Sequence, residues 1–156
     1  MHYASLCAIV KDEDRDIHEW LAYHLAIGFE HVFIYDNNSA VPLRDTLAEH
    51  IAAGLVTVTD WPLKEAQQLS AYMHALKSWG PRTKWLGFMD VDEFVLPLRH
   101  DDIRDFLDGY TSYGAVGAHW AMFGANGHMR RPQGGILENY TQNHGLEPHI
   151  KCIVQP

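Results

Sequence analysis

Three short polar clusters hold the residues of this chain that could do chemistry. Asp90-Val91-Asp92-Glu93 closes the apolar run Trp85–Met89 with three carboxylates. Neighbouring acids repel one another, and a bound hard cation is the commonest reason to keep them together. A solvated strand end is the alternative. The bare D-x-D pattern is unspecific, since 12 Asp in 156 residues give about one such pair by chance. Asp12/Asp14 and Asp14/Asp16 also satisfy it, but they stand at a helix entry, where acids suit the helix dipole. Asp90 and Asp92 follow a strand, and they are therefore the metal-ligand candidates. Asp36-Asn37-Asn38-Ser39 follows another apolar run. It reads as a turn or as a hydrogen-bonding lip for a base or ribose. Lys11 and Glu13 follow the first apolar run. Alone they would be surface charges; beside the other clusters they become walls of a site.

The elements that must position these clusters alternate in type. Tyr3–Val10 is apolar and β-prone enough for a buried strand. Asp16 reads as an N-cap with Glu19 completing a capping box, followed by Ile17, Trp20, Leu21 and Leu25 at helical spacing and Gly28 past the end. His31–Tyr35 is a second strand. Pro42 starts a helix with Leu43, Leu47 and Ile51 on one face, stopped by Gly54. Leu55–Thr59 is a third strand. Ala66, Leu69, Met73 and Leu76 mark a third helix, ended by Gly80-Pro81, and Trp85–Met89 is the fourth strand. Asp101 or Asp102 caps a short helix with Ile103, Phe106 and Leu107, ending at Gly109. Ala115–Phe123 and Lys151–Val154 are further strands. Such alternation implies right-handed parallel crossovers in an α/β sheet. Ligands bind such sheets beyond the carboxyl ends of the strands. The three clusters all follow strands, so they should converge on one edge.

Composition bounds the partners. The 156 residues fit one domain, and 47% hydrophobic content is enough for a real core. A formal charge of −8 argues against broad binding to nucleic acid or anionic lipid. It would also repel a diphosphate, unless a divalent ion on one or two carboxylates reversed the local sign. Oxygen ligands suit Mg²⁺ or Mn²⁺ equally. The longest apolar run, Leu6–Val10, is far short of a membrane span, and no signal peptide is visible. Cys7 and Cys152 lie in apolar runs and read as buried free thiols of a reducing, cytoplasmic compartment. The phosphate loop G-x-x-x-x-G-K-[ST], the G-x-S-x-G elbow and HExxH are missing. Acids, metal and an α/β edge together point to transfer chemistry on a nucleoside diphosphate compound.

Longer stretches carry a resemblance. Lys11-Asp12-Glu13, Glu19-Trp20-Leu21-Ala22-Tyr23-His24, Ala26-Ile27-Gly28, His31–Ser39 and Phe88–Phe94 resemble segments of the family 2-like and family 92-like glycosyltransferases. Gln68-x-x-Ala71-Tyr72, Trp120-x-x-Phe123-Gly124, Gly127-His128, Arg131-Pro132 and Glu138 before Tyr140-Thr141 are similar to later ones, in order across the chain. The resemblance implies a GT-A fold, Rossmann-like, three layers αβα about a mostly parallel sheet. It implies one domain over 1–156, with a nucleotide-sugar-binding part at about 1–100 and an incomplete acceptor-side part at about 101–156.

It also implies roles. The donor would be a UDP- or GDP-sugar and the acceptor a glycan or other hydroxyl. Asp92 would ligate Mn²⁺ or Mg²⁺ on the diphosphate, and Asp90 would touch the ribose or the metal. Asp36 would face the nucleoside, with Lys11 and Glu13 bordering that pocket and Gln68 looking in from the third helix. Trp120 and His128 would lie on the acceptor side, where Trp120 could stack on a sugar or serve as a core tryptophan. An inverting transfer needs a base near the acceptor hydroxyl, for which Glu138 is the candidate. Two departures stand out. Asp12 replaces the family's usual asparagine and adds repulsion near the donor pocket. The family also continues past Lys151–Val154, where a later histidine often completes the metal site; His144 or His149 would substitute, or the chain is a truncated form. The alternatives are a non-catalytic donor- or carbohydrate-binding module and a nucleotidyltransferase. The acidic, glycine-free Lys11–Asp16 counts against the latter.

Overall fold

β1 (His2–Val10) and β2 (His31–Asp36) are apolar on both faces, as strands covered by helices on each side must be; every residue of β2 is buried. They belong to a computed structural model that describes residues 1–65 and 67–156. β3 (Val56–Asp60) and β4 (Thr83–Phe88) complete a parallel set through the pairings β2–β3, β1–β2 and β1–β4. β6 (Gln142–Val154) joins β4 antiparallel, with Leu86 opposite Val154 and Gly87 opposite Ile153, and β5 (Ala115–Gly124) pairs antiparallel with β6. The spatial order is β3-β2-β1-β4-β6-β5. Chain order reverses between β1 and β4, the position at which open α/β sheets bind ligands.

Strand alternation divides the core into two layers. Leu6, Ala8, Ile34 and Trp85 face a cluster that includes Ile17 and Leu21 of α1 (Ile17–Ala26), Leu43 of α2 (Leu43–Thr46) and Ile103 of α5 (Ile103–Asp108). Ile51 of α3 (Ala48–Ala52) packs against that cluster. Cys7, Phe33, Tyr35 and Leu86 face the other way, onto Ala71 and Ala75 of α4 (Gln67–Ser78). The fold is therefore the three-layer α/β arrangement that alternation predicts, with a sheet parallel in four strands and antiparallel in the last two. Cys7 is buried and Cys152 half-buried, and neither forms a disulfide. Among the described residues no helix is long and apolar enough to cross a membrane.

Two local expectations give way to tertiary contacts. Asp16 precedes α1 but makes no side-chain cap bond. Its carboxylate instead pairs with Arg131, and Glu19 accepts from the backbone N–H groups of Ile136 (2.5 Å) and Leu137 (3.3 Å). Both acids are drawn off the helix end to hold the segment leading into α6 (Ile136–Asn139). The helix after Pro42 breaks at Leu47 into α2 and α3, and Leu43 and Leu47 both remain buried. α4 buries its small residues, whereas Leu69 is 68% and Met73 46% exposed. Alanine lets the helix approach the bulky layer of Phe33, Tyr35 and Trp79, which larger side chains would hold off. Ala66 lies outside the described residues. Gly28 ends α1 at φ +102, and a Cβ there would run into the Asp102 carboxylate. That carboxylate caps α5 by accepting from the Arg104 N–H at 2.8 Å.

Candidate functional site

The chain leaves β1 at Val10 and turns at Asp12, whose φ of 57° is a left-handed value that Asp and Asn tolerate best. The Asp12 carboxylate accepts from Ala40 N (2.7 Å), and Asp12 N donates to Ser39 Oγ (3.1 Å). The loop after β1 is thus laced to the loop after β2, and Asp12 points into that lacing. Asp36, at the end of β2, is 7% exposed. Its two oxygens accept from Ser39 N (2.9 Å) and Leu43 N (3.0 Å). Asp36 therefore shapes its own turn and starts α2; it does not face the recess. Asn37 and Asn38 form the lip in its place. Asn37 Nδ2 donates to the carbonyls of Trp61 (2.7 Å) and Leu63 (2.9 Å), which ties in the loop after β3 as well.

Those loops frame two adjoining cavities, the second of which reaches the β1/β4 switch. One, of about 480 Å³, is lined by Lys11, Asn37, Asn38, Leu63, Lys64 and Gln67, among others. The second, of about 290 Å³, continues past Lys11 and Asn37 to Gln68 and Asp90. The clusters after β1, β2 and β4 do converge. Lys64 and Gln67 are additions that the sequence reading missed. They follow β3, whose carboxyl end meets the same edge, and that rule could have found them.

The acids after β4 separate into two kinds. Asp90 Oδ1 accepts from Gln68 Nε2 (3.2 Å), and Oδ2 pairs with Lys151 Nζ (2.7 Å). The same ammonium lies 3.0 Å from Glu93 Oε2, which also accepts from Asp90 N (3.0 Å). The self-repulsion of the run is therefore relieved by a lysine from β6, without requiring a metal for Asp90 and Glu93. Burial lowers the proton affinity of Lys151, but its bonds to Asp90 and Glu93 outweigh that and raise its pKa. Glu93 is raised by burial against the opposing pull of Asp90 N–H and Lys151. Lys151 too was missed; the one signal was a lone charge inside the apolar run Ile150–Val154.

Asp92 is exposed and accepts no hydrogen bond among the described residues. Glu13 is held above the ordinary carboxylate range by burial, then by the charges of Asp16 and Asp92, with Arg131 opposing. Asp92 and Glu13 thus share one neighbourhood. No group of three or more metal-ligating side chains occurs among the described residues. This donor set does not fit a closed protein cage. It does fit Mg²⁺ or Mn²⁺ held by one or two carboxylates and completed by substrate phosphate oxygens.

The loop carrying Asp92 is gripped from α1. Trp20 Nε1 donates to Glu93 O (2.8 Å), and Tyr23 OH donates to Val95 O (2.8 Å). Val95 N donates to His24 Nε2 (3.2 Å), so the ring proton sits on Nδ1 and is donated to Trp20 O (2.8 Å). Positions 20, 23 and 24 lie on one helix face by the i, i+3, i+4 rule. Burial depresses the His24 pKa to about 4, keeping it neutral.

On the acceptor side the pieces disperse. Trp120 is half-buried, its ring 5.4 Å from that of His149 and 5.6 Å from Lys151 Nζ. It therefore adjoins the acid cluster and is not a core tryptophan. His128 occupies an exposed turn after β5, its N–H bonded to Ala125 O at 2.8 Å. Glu138 Oε1 accepts from Gly135 N at 3.0 Å and so caps α6. Among the described residues no hydrogen bond or ion pair links His128 or Glu138 to Asp90 or Asp92. His144 packs over Gly124, where its ring fills the space a Cβ would need.

A sequence model described as glycosyltransferase family 92 matches residues 4–156. A "Glycosyltransferase family 92 protein" of Oryza sativa subsp. japonica is 28% identical over 99% of this chain and 27% of its own length. One of Ricinus communis is 30% identical over 96% of this chain and 28% of its own. The chain thus spans little more than a quarter of the length of these curated relatives. Among solved structures, the "Crystal structure of S. aureus TarS 1-349" aligns with a TM-score of 0.58 at 19% identity, over 84% of this chain and 38% of that one. That likeness concerns the fold.

Proposed function

The chain belongs to glycosyltransferase family 92, and from that premise we propose that it binds the nucleotide-sugar donor of a metal-dependent, inverting glycosyl transfer to a hydroxyl acceptor. The observation that carries the reading is the recess framed by the loops after β1, β2 and β3, which continues to Asp90 after β4. Two lysines, Lys11 and Lys64, line it in a chain of net charge −8, and the exposed Asp92 follows two residues after Asp90, which lines the adjoining cavity. A UDP- or GDP-sugar has the matching parts. Lys11 and Lys64 meet its phosphates, Asn37 and Asn38 offer hydrogen bonds to the base, and Asp90, oriented by Gln68, takes the ribose. Asp92, with Glu13 beside it, holds Mn²⁺ or Mg²⁺. A divalent ion there stabilises the negative charge of a departing diphosphate. Trp120 offers a ring face to a sugar on the acceptor side. For the acceptor's base, Glu138, one oxygen of which starts α6, and the exposed His128 are the residues carried forward.

The test is a thermal-shift and calorimetric titration of UDP and GDP, each with and without Mn²⁺. One diphosphate should raise Tm clearly only when the metal is present. Asp92→Asn should weaken that binding at least about tenfold, or ~1.4 kcal/mol. Folding should be unaffected, because the side chain is exposed and no partner of it is lost. Parent-like affinity in the variant removes Asp92 from the metal site.

A further inference from the structure

Lys151 comes from none of the strands whose ends form the recess. Register brings it there: Gly87 pairs with Ile153, so β6 passes the end of β4 two residues earlier. Its side chain is 17% exposed, and its Nζ lies 2.7 Å from Asp90 and 3.0 Å from Glu93. Trp120 flanks it on one side. Asp90 and Glu93 therefore have a cation already, while Asp92 and Glu13 have no hydrogen-bond donor among the described residues. An ammonium and a divalent ion repel, and they compete for the same oxygens.

We infer that Lys151 is an internal counter-ion that withholds Asp90 and Glu93 from metal, so that the chain binds free Mn²⁺ poorly and takes it up together with a diphosphate. This rests on the functional reading above and adds an order of assembly to it. The diphosphate oxygens complete a coordination shell that the protein, with Lys151 in place, leaves short.

The experiment titrates Mn²⁺ alone, by calorimetry and by Mn²⁺ electron paramagnetic resonance, into the full chain and its variants. Lys151→Met should bind free Mn²⁺ about tenfold more tightly than the parent. Lys151→Arg keeps the cation and should stay within about twofold of the parent. Adding Glu93→Gln and Asp90→Asn to Lys151→Met should abolish the gain. Unchanged Mn²⁺ affinity in folded Lys151→Met overturns the inference, as does an equal gain in Lys151→Arg. Glu93→Gln alone covers the case in which Lys151→Met does not fold. It should leave free-Mn²⁺ affinity within about twofold, and a tenfold loss shows that Glu93 was never withheld. Uptake of Mn²⁺ with UDP or GDP by the parent is scored separately. If uptake occurs and Lys151→Met gains nothing, the counter-ion role fails and the donor reading survives. If the gain appears without nucleotide-linked uptake, the reverse holds.

Discussion

Trp20→Ala lowers the stability of the chain by about 3–5 kcal/mol, the usual cost of deleting a fully buried tryptophan. Trp20 is 0% exposed and is among the largest buried side chains. Its loss opens a cavity and leaves Glu93 O without its donor. Urea denaturation with m held in common measures the cost. The functional half of the expectation concerns the Asp92 loop. Trp20, Tyr23 and His24 hold residues 93–95 by three hydrogen bonds, so the variant should lose metal-dependent diphosphate affinity even where it remains folded. Leu107→Ala is the control, since Leu107 is equally buried and belongs to α5. Equal losses of affinity in the two variants, at matched fractions folded, would mean that the α1 grip does not shape the site. Tyr23→Phe removes one bond at the surface of the same grip and should cost about 1 kcal/mol.

Acid should weaken the same grip. His24 titrates near 4 when folded and near the ordinary 6.5 when unfolded, because burial opposes its charging. The unfolded chain therefore takes the proton first. The contribution is complete above pH 6.5 and is lost as pH falls through 4, with a size of roughly 3 kcal/mol. His31, buried and likewise lowered by that burial, adds slope of the same sign. Glu13 and Glu93, raised by burial, add the opposite sign at the acid end. The measurement is therefore a difference: stability of the parent minus that of His24→Leu, from pH 7 to pH 4. The difference should shrink on acidification. A pH-independent difference would mean that His24 is not held neutral. Protonation would also force Nε2 to release Val95 N–H, so nucleotide affinity should fall in the same window.

Much of the fold could be read from residue order. Apolar runs bounded by polar clusters located the first four strands within a residue or two, because strands buried on both faces must be apolar throughout. The rule that ligands meet α/β sheets at strand ends places Lys11, Asn37 and Asp90 around one recess, and the family resemblance adds Gln68. The same rule, applied to β3, would have added Lys64.

Side-chain allegiance was not legible. Asp16 and Glu19 have capping-box spacing, yet both serve a segment more than 110 residues away. Asp36 looks like a ligand-facing acid, but the orphan N–H groups of its turn and of α2 claim both oxygens. The spacing of Leu69 and Met73 marked α4 without saying which face it buries, and close approach to an aromatic layer selected the alanines. Such outcomes turn on which distant group satisfies a donor or fills a void best in the folded chain, and local periodicity holds no record of that. Lys151 is the sharpest case. Sequence alone offered a bound cation or a solvated strand end for the acids after β4; only the antiparallel return of β6 decided that the chain supplies a cation itself.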